Sequence, residues 1–202
     1  MEKTNVLDIY NLIANDFSRT RYSVWPSVKN FIESFPNETQ FLEIGCGNGK
    51  NMLLRPLNFT GCDNCKNFIK ICKKRNLDVI LSCATDLPFK TNYFDATISV
   101  AVIHHLSTSE RRIKAINEQI RVTKPDGMIF IEVWAFENNN RVVNNNQDNM
   151  VPWRLNGEIY QRFYHFFKKK EMINIFQELK NVELVSMSNE KFNWVVILKK
   201  IL

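Results

Sequence analysis

The sequence predicts an α/β fold: a mostly parallel sheet with helices on both faces and an antiparallel last strand. Three observations carry this. From Gln40 onward, short apolar runs alternate with amphipathic segments of helical period, the pattern of parallel strands linked by helices. The turn Gly45-Cys46-Gly47-Asn48-Gly49 directly follows the first apolar run. The two closing runs, Val182 to Met187 and Phe192 to Leu198, flank only Ser188-Asn189-Glu190 and their immediate neighbours, and strands joined that tightly must be antiparallel.

The elements follow in order. Val6, Ile9, Tyr10, Ile13 and Phe17 recur at helical spacing. Val24-Trp25-Pro26 introduces a second helix, Ser27 to Phe35, with Pro26 at its first position, where a missing N–H costs nothing. Residues 1–37 are therefore expected to form a helical N-terminal lid. Phe41 to Ile44 is the first strand, and Gly61-Cys62-Asp63 ends the second. Asn64 to Arg75 is an amphipathic helix that stops at Asn76. Val79 to Leu81 is the third strand, ending at Ser82-Cys83-Ala84, and Phe94 to Val100 the fourth. Thr108 to Val122 reads as a helix capped by Thr108 or Ser109, with Glu110 in its first turn. Met128 to Val133 is the fifth strand, after a Pro125-Asp126-Gly127 turn. Residues 138–150 are asparagine-rich without apolar period and are expected to be a mobile loop. Glu171 to Leu179 is helical. No repeat or linker divides the chain, so residues 1–202 are expected to be one domain.

Of the 202 residues 45% are hydrophobic and 24% charged, which allows a real core and argues against disorder. No stretch approaches the roughly 20 apolar residues of a membrane span. The N-terminus carries Glu2 and Asp8 and no apolar signal core, so a cytoplasmic location is expected, with a nuclear fraction allowed. A formal charge of +6 favours polyanionic partners such as nucleic acid, although a basic surface also serves solubility. Lys168-Lys169-Lys170, Lys199-Lys200 and Arg111-Arg112 are candidates for phosphate contact or for a solvated face. Cys62-x-x-Cys65 invites a zinc reading, but no second pair or nearby histidine completes a ligand set, so no metal is expected. The five cysteines are expected to be reduced.

The glycine turn is the sharpest local signal. Glycine there permits unusual backbone angles and close approach of a ligand. Its spacing is Gly-x-Gly-x-Gly, whereas the dinucleotide fingerprint is Gly-x-Gly-x-x-Gly with pyrophosphate at a helix N-terminus. Glu43 opens the turn and is placed to face a positively charged cofactor. Both details favour S-adenosylmethionine over a nicotinamide dinucleotide. Asp63 follows about twenty residues on, where a carboxylate accepts ribose hydroxyls. Asp95 at the start of the fourth strand reads as a structural cap.

The chain resembles the eukaryotic tRNA wobble-uridine carboxymethyl methyltransferases, the stand-alone fungal enzymes and the methyltransferase domain fused to an AlkB-type dioxygenase in animals. The resemblance spans nearly the whole chain. It runs from Tyr10-x-x-Ile13-Ala14-x-x-Phe17-Ser18-x-Thr20-Arg21-x-x-x-Trp25-Pro26 through the glycine turn to Ile98 through His105 and Glu110-Arg111-Arg112. It resumes at Val133-Trp134-Ala135, Val151-Pro152-Trp153, Arg162-Phe163-Tyr164-His165-x-Phe167 and Asn193-Trp194-x-Val196-Ile197-Leu198. The glycine turn is common to many methyltransferases; the Thr-Arg, double-histidine and Arg-x-Tyr-His segments are more specific. Two departures stand out. The family's acidic residue near adenine is Cys83, so that contact would fall to Asp86 or to backbone amides, and the usual Pro-Gly-Gly turn is Pro125-Asp126-Gly127.

The resemblance implies a Rossmann-like class I methyltransferase with a seven-stranded sheet. It implies S-adenosylmethionine as cofactor, bound by Tyr10, Phe17, Glu43, Gly45, Cys46, Gly47, Gly49, Asp63, Cys83, Ala84 and Val100. The implied reaction is methyl esterification of 5-carboxymethyluridine in the tRNA anticodon loop. A carboxylate ionises near pH 4, so no general base is required; its charge must be held by cationic donors, preferably arginine. The expected catalytic set is Arg21, His105, Trp134, Arg162 and His165, with His105 a substrate donor, His104 an orienting residue and Trp134 a platform for uracil. Against these stand plainer roles: structural hydrogen bonding for histidine, a surface ion pair for Arg21, and core packing for Trp134, Trp153 and most of the 163–167 aromatic run. The third strand lies at the sheet edge, and the resemblance implies that a small zinc-binding activator protein pairs with Val79 to Leu81. The alternatives are a methyltransferase for another small molecule or lipid, a non-catalytic RNA-binding scaffold, and, more distantly, a nicotinamide dehydrogenase.

Overall fold

The strand–helix alternation builds one seven-stranded sheet in the computed structural model, which describes residues 1–137 and 139–202. Asn138, the first residue of the asparagine-rich segment, lies outside the described residues. A π-helical turn, Lys3–Leu7, leads into α1 (Asp8–Thr20), and α2 (Pro26–Glu33) follows with Pro26 at its start. Then come β1 (Phe41–Ile44), β2 (Phe59–Asp63), α3 (Lys66–Lys74), β3 (Asp78–Leu81), β4 (Phe94–Val100), α4 (Ser109–Val122) and β5 (Thr123–Trp134). A separate hairpin of β6 (Asp148–Leu155) and β7 (Glu158–His165) precedes α5 (Lys169–Glu178), β8 (Val182–Glu190) and β9 (Asn193–Lys200).

The sheet order is β3-β2-β1-β4-β5-β9-β8. β9 pairs antiparallel with β5 and β8 antiparallel with β9, so only the last strand runs against the rest. All four residues of β1 are buried, as befits a central strand covered on both faces. Alternate side chains feed opposite layers. Phe41, Phe59, Ile98 and Phe130 pack under α2 and α3, whereas Ile129, Ile131, Val133 and Val196 pack under α4 and α5. Strand order reverses between β1 and β4, so a crevice opens beyond their C-terminal ends, where open α/β sheets bind ligands. No described helix is long and apolar enough to cross a membrane.

The β6–β7 hairpin was not anticipated. Its turn is Asn156-Gly157, with φ of 50° and 83°. Both residues sit in the left-handed region that a two-residue hairpin turn requires and that Asn-Gly supplies. β6 begins at Asp148, inside the stretch read as loop. Several asparagines around it shape turns: Asn144 and Asn145 have positive φ, and the buried Asn149 accepts from the Val143 N–H at 2.8 Å and donates to the Asn146 carbonyl at 2.6 Å.

Two cations considered for phosphate contact are interior. Arg112 donates to the Leu106 carbonyl at 3.0 Å. Lys200 is buried and its Nζ donates to Asn92 Oδ1 and to the Ile120 and Thr123 carbonyls at 2.6, 2.9 and 2.8 Å. It thereby satisfies carbonyls at the end of α4 that no intrahelical N–H reaches. The five cysteines are all free. Replacing Lys200→Met leaves those carbonyls buried without a donor, a loss of roughly 2–3 kcal/mol, which is expected as a lower urea midpoint with an unchanged denaturant slope.

Candidate active site

The crevice at the reversal point is a cavity of about 500 Å³, within the usual range of roughly 300–1,000 Å³ for small-molecule sites. Its floor is the glycine turn. Gly45 has φ of +66°, and a Cβ there would lie 2.3 Å from Val102 Cγ2, so only glycine fits. Gly47 has φ of +53° and nothing within 4 Å of its missing Cβ, which leaves backbone open to the cavity. Gly49 faces elsewhere: a Cβ would meet Leu77 Cδ1 at 2.4 Å and Cys72 Sγ at 3.0 Å. It is a packing glycine against α3 and does not line the cavity, which corrects its assignment as a cofactor contact.

Two buried carboxyls stand at this end. Asp63 accepts from the Gly47 N–H at 2.8 Å and from the Cys65 N–H at 2.8 Å. Burial pushes its pKa up to about 6 against those donors. Glu43 Oε1 accepts from Asn51 Nδ2 at 2.7 Å, while Oε2 is buried with no partner. Burial raises its pKa to about 8, with the Asn51 hydrogen bond opposing. An unpartnered carboxyl oxygen, an acceptor pair at Asp63 and open backbone at Gly47 fit a cofactor bearing a cationic amino acid and a ribose. Cys46, Ser82, Cys83, Ala84 and Val100 complete this wall; Asp86 is exposed and takes no part in it.

The opposite end is cationic and aromatic. Arg162, 5% exposed, projects from β7. Its Nη1 donates to the Tyr10 hydroxyl at 3.1 Å and the Tyr164 hydroxyl at 2.9 Å. Its Nε is buried without a partner, and no carboxylate among the described residues pairs with it. The guanidinium lies 4.8 Å from the Trp153 ring and 5.2 Å from that of Tyr164. Tyr10 also meets His105 Nε2 at 3.0 Å and Tyr164 at 3.0 Å, and His105 Nδ1 meets the Phe163 carbonyl at 2.8 Å.

These contacts fix the proton arrangement. A carbonyl only accepts, so His105 Nδ1 carries the hydrogen and Nε2 accepts. Burial lowers the His105 pKa to about 3, which keeps the ring neutral. Tyr10 therefore donates to His105, and its oxygen accepts from Tyr164 and Arg162. Both His105 nitrogens are thus engaged within the protein, so it orients Tyr10 and has no free N–H for a substrate.

The remaining expected residues are placed as follows. Arg21 is exposed at the mouth, its guanidinium 5.2 Å from the Trp153 ring. Trp134 stacks on Tyr164 at 4.2 Å and 17°, with Arg141 4.9 Å from its ring centroid. His104 is fully buried, its Nδ1 accepting from the Trp134 N–H at 3.3 Å. Phe17 packs edge-on against Tyr10 and Phe68. His165 stands apart from the cavity: Nδ1 meets Asp148 at 2.6 Å and Nε2 meets Glu171 at 2.9 Å, tying the hairpin to α5. Tyr164, Arg141, Asn51 and Lys50 were not anticipated. The Asn156-Gly157 dipeptide was the available signal for the first, because it sets the hairpin register that turns Arg162 and Tyr164 to one face. Lys50 Nζ donates to the Ser23 carbonyl at 2.7 Å and so fastens the segment between α1 and α2 to the glycine turn.

The raised carboxyl of Glu43 gives a signed pH dependence. It holds its proton in the folded state up to about pH 8 but loses it near pH 4.5 when unfolded. Its contribution to stability is therefore complete below the unfolded value and is lost as pH rises through about 8, at about 1.4 kcal/mol per pH unit. Urea titrations of the ligand-free chain are expected to show stability falling across that window, and Glu43→Gln is expected to flatten the fall between about pH 6 and 8.

A family model described as a methyltransferase domain matches residues 42–131. The tRNA (carboxymethyluridine(34)-5-O)-methyltransferase of Xenopus tropicalis is 31% identical over 260 positions, which cover 100% of this chain and 41% of that protein. The enzyme of the same name from Schizosaccharomyces pombe is 33% identical over 224 positions, covering 98% of this chain and 97% of that protein. The chain thus spans less than half of the frog relative and nearly all of the fission-yeast one. The crystal structure of a SAM-dependent methyltransferase from Methanosarcina mazei superposes with a TM-score of 0.73 at 18% identity, over 89% of this chain and 99% of that one, a likeness of fold alone. With its S-adenosylmethionine-dependent methyltransferase domain and a match running end to end along the fission-yeast enzyme, the chain belongs to the tRNA (carboxymethyluridine(34)-5-O)-methyltransferase family.

Proposed function

We propose that this chain esterifies the carboxylate of 5-carboxymethyluridine at the tRNA wobble position. One observation carries the reading: the Arg162 guanidinium is buried without a carboxylate partner in the cavity floored by the glycine turn. Both Nη1 hydrogens are used by tyrosine hydroxyls, so the Nε–Nη2 edge is left for a ligand. Two parallel N–H donors form the fork that binds a carboxylate bidentately.

Bound S-adenosylmethionine supplies an electrophilic methyl on a sulfonium. Glu43 would face its ammonium and Asp63 its ribose hydroxyls. At the other end Arg162 keeps the substrate carboxylate ionised despite desolvation, and the Nη1 bonds to Tyr10 and Tyr164 stop the guanidinium from turning. Neutral His105 accepts a hydrogen bond from the Tyr10 hydroxyl and takes no proton from the substrate. No base is needed, because a carboxylate is already the nucleophile at neutral pH. The residues contribute alignment and exclusion of water. Arg21 at the mouth adds a second cation near an anionic substrate, and stacking of uracil on Trp134 would require Arg141 to yield.

We further propose that the β3 edge takes a partner, a small zinc-binding activator, by strand addition. Among the described residues β3 pairs only with β2, and Ile80 and Leu81 are 39% and 47% exposed along it. An apolar edge without protection is prone to associate. Co-expression with the activator is expected to convert a poorly soluble chain into a soluble heterodimer. A soluble, monomeric and fully active isolated chain would remove this partner.

The reaction is tested by incubating the chain with labelled cofactor and tRNA bearing 5-carboxymethyluridine, then analysing nucleosides by mass spectrometry. A new methyl ester is expected. Arg162→Ala is expected to lower kcat/KM on the order of 10²–10³-fold, the cost of leaving a buried anion unpaired. Arg162→Lys is expected to recover little of it, since an ammonium lacks the fork. Label passing to small-molecule extracts and not to tRNA would overturn the substrate assignment.

A further inference from the structure

We propose that the exposed lysine face of α3, with the Arg21-Tyr22 corner beside it, is the surface on which the phosphate backbone of an RNA substrate docks. The inference rests on the RNA reading above. Lys66, Lys70, Lys73 and Lys74 are all exposed, while Phe68, Ile69 and Cys72 bury the other side of the helix. The spacing i, i+4, i+7, i+8 gathers the four ammonium groups in one stripe, with about 5.4 Å between successive turns. None of the four joins an ion pair among the described residues. Between Asp63 and Asp78 there is no carboxylate in the sequence. Repulsion along such a stripe works against the helix and is relieved by a polyanion from outside. Of the other basic clusters, Arg111 pairs with Glu2, Lys199 with Asp126, and Arg112 and Lys200 are interior; Lys169 and Lys170 are exposed and join no ion pair among the described residues, but they stand on α5 and do not line the cavity.

The stripe is tied to the cavity at both ends. Asn64 and Cys65, just before α3, line the cavity rim. α1 lies alongside, with Asn67 Nδ2 donating to the Asn11 carbonyl at 2.7 Å near the start of α3. Past the end of α3, Arg75 donates to Ser18 Oγ at 3.2 Å and to the Asn48 carbonyl at 2.8 Å, and Asn48 Nδ2 donates to the Arg21 carbonyl at 2.9 Å. Arg21 stands at the cavity mouth, and its neighbour Tyr22 is 78% exposed. An exposed ring beside a cation is a stacking platform for an unpaired base. The path is continuous: backbone along α3, one base on Tyr22, and an adjacent nucleotide inward toward Arg162.

The probe is an unmodified tRNA transcript, titrated against the full chain at several salt concentrations. Combined Lys66→Gln, Lys70→Gln, Lys73→Gln and Lys74→Gln is expected to reduce the salt slope of log Kd by about 3.6, roughly 0.9 for each of four phosphate contacts. Each single replacement is expected to reduce it by about 1 or less. Tyr22→Ala is expected to weaken binding about 5- to 100-fold, with Tyr22→Trp restoring it. Unchanged S-adenosylmethionine affinity in every variant reports an intact fold. An unchanged slope, a wild-type chain that does not bind the transcript, or a loss that instead follows Lys169→Gln and Lys170→Gln would overturn the docking surface. Lysine-dependent binding without ester formation on carboxymethylated tRNA would support the surface and count only against the substrate assignment.

Discussion

A guanidinium buried among aromatic rings without an anion is costly, because burial removes the hydration of a charge that arginine cannot discard. Arg162 is held in that condition by Tyr10, Tyr164 and Trp153. Two hydroxyls and three ring faces offset part of the lost hydration, yet they leave one edge of the fork without an acceptor. The arrangement reaches back to the main chain. The Phe163 carbonyl sets the His105 tautomer, His105 directs the Tyr10 proton away from Arg162, and the Tyr10 oxygen is thereby free to accept from the guanidinium. Three stretches distant in sequence, α1, the turn after β4 and the β6–β7 hairpin, meet at this point.

The cavity is polarised along its length. At the glycine turn, burial raises the carboxyls of Glu43 and Asp63, and either gains from a cation that favours its ionised form. At the hairpin end a cation lacks its anion. A positively charged donor and a negatively charged acceptor would each relieve the end they occupy and would be drawn together between them. This opposition orders the two ligands without any acid–base group between them, which agrees with a nucleophile that is ionised before it binds.

The N-terminal helices and the hairpin complete what the sheet begins. The parallel strands supply the glycine turn and Asp63, groups common to many enzymes of this fold. The acceptor end comes instead from α1, from the turn after β4 and from β7, and these are fastened to one another by Trp153 donating to Asp16 and by the Tyr10 hydroxyl. Replacing the sheet's additions would change the acceptor end while leaving the cofactor end intact.

The sequence by itself determined the sheet, its reversed last strand and the glycine turn; it proposed Arg21, Asp63 and Arg162 as site residues, and the fold brings all three to the lining of one cavity. Those features are local: hydrophobic period, turn composition and short motifs are written in neighbouring residues. It also held the Asn156-Gly157 signal for the hairpin, which the asparagine-rich stretch before it masked. Tertiary structure alone decided the rest. Gly49 looked like its two neighbouring glycines but packs on Leu77, because the third position of the turn faces α3. His165 was matched with the active residues but is bound between Asp148 and Glu171, because adjacent positions of a strand point to opposite faces. His105 has no N–H to offer a substrate, because the Phe163 carbonyl, 58 residues away, takes its Nδ1 hydrogen, while its Nε2 accepts from Tyr10, 95 residues away. Protonation and pairing depend on partners distant in sequence, and only the folded chain brings those partners together.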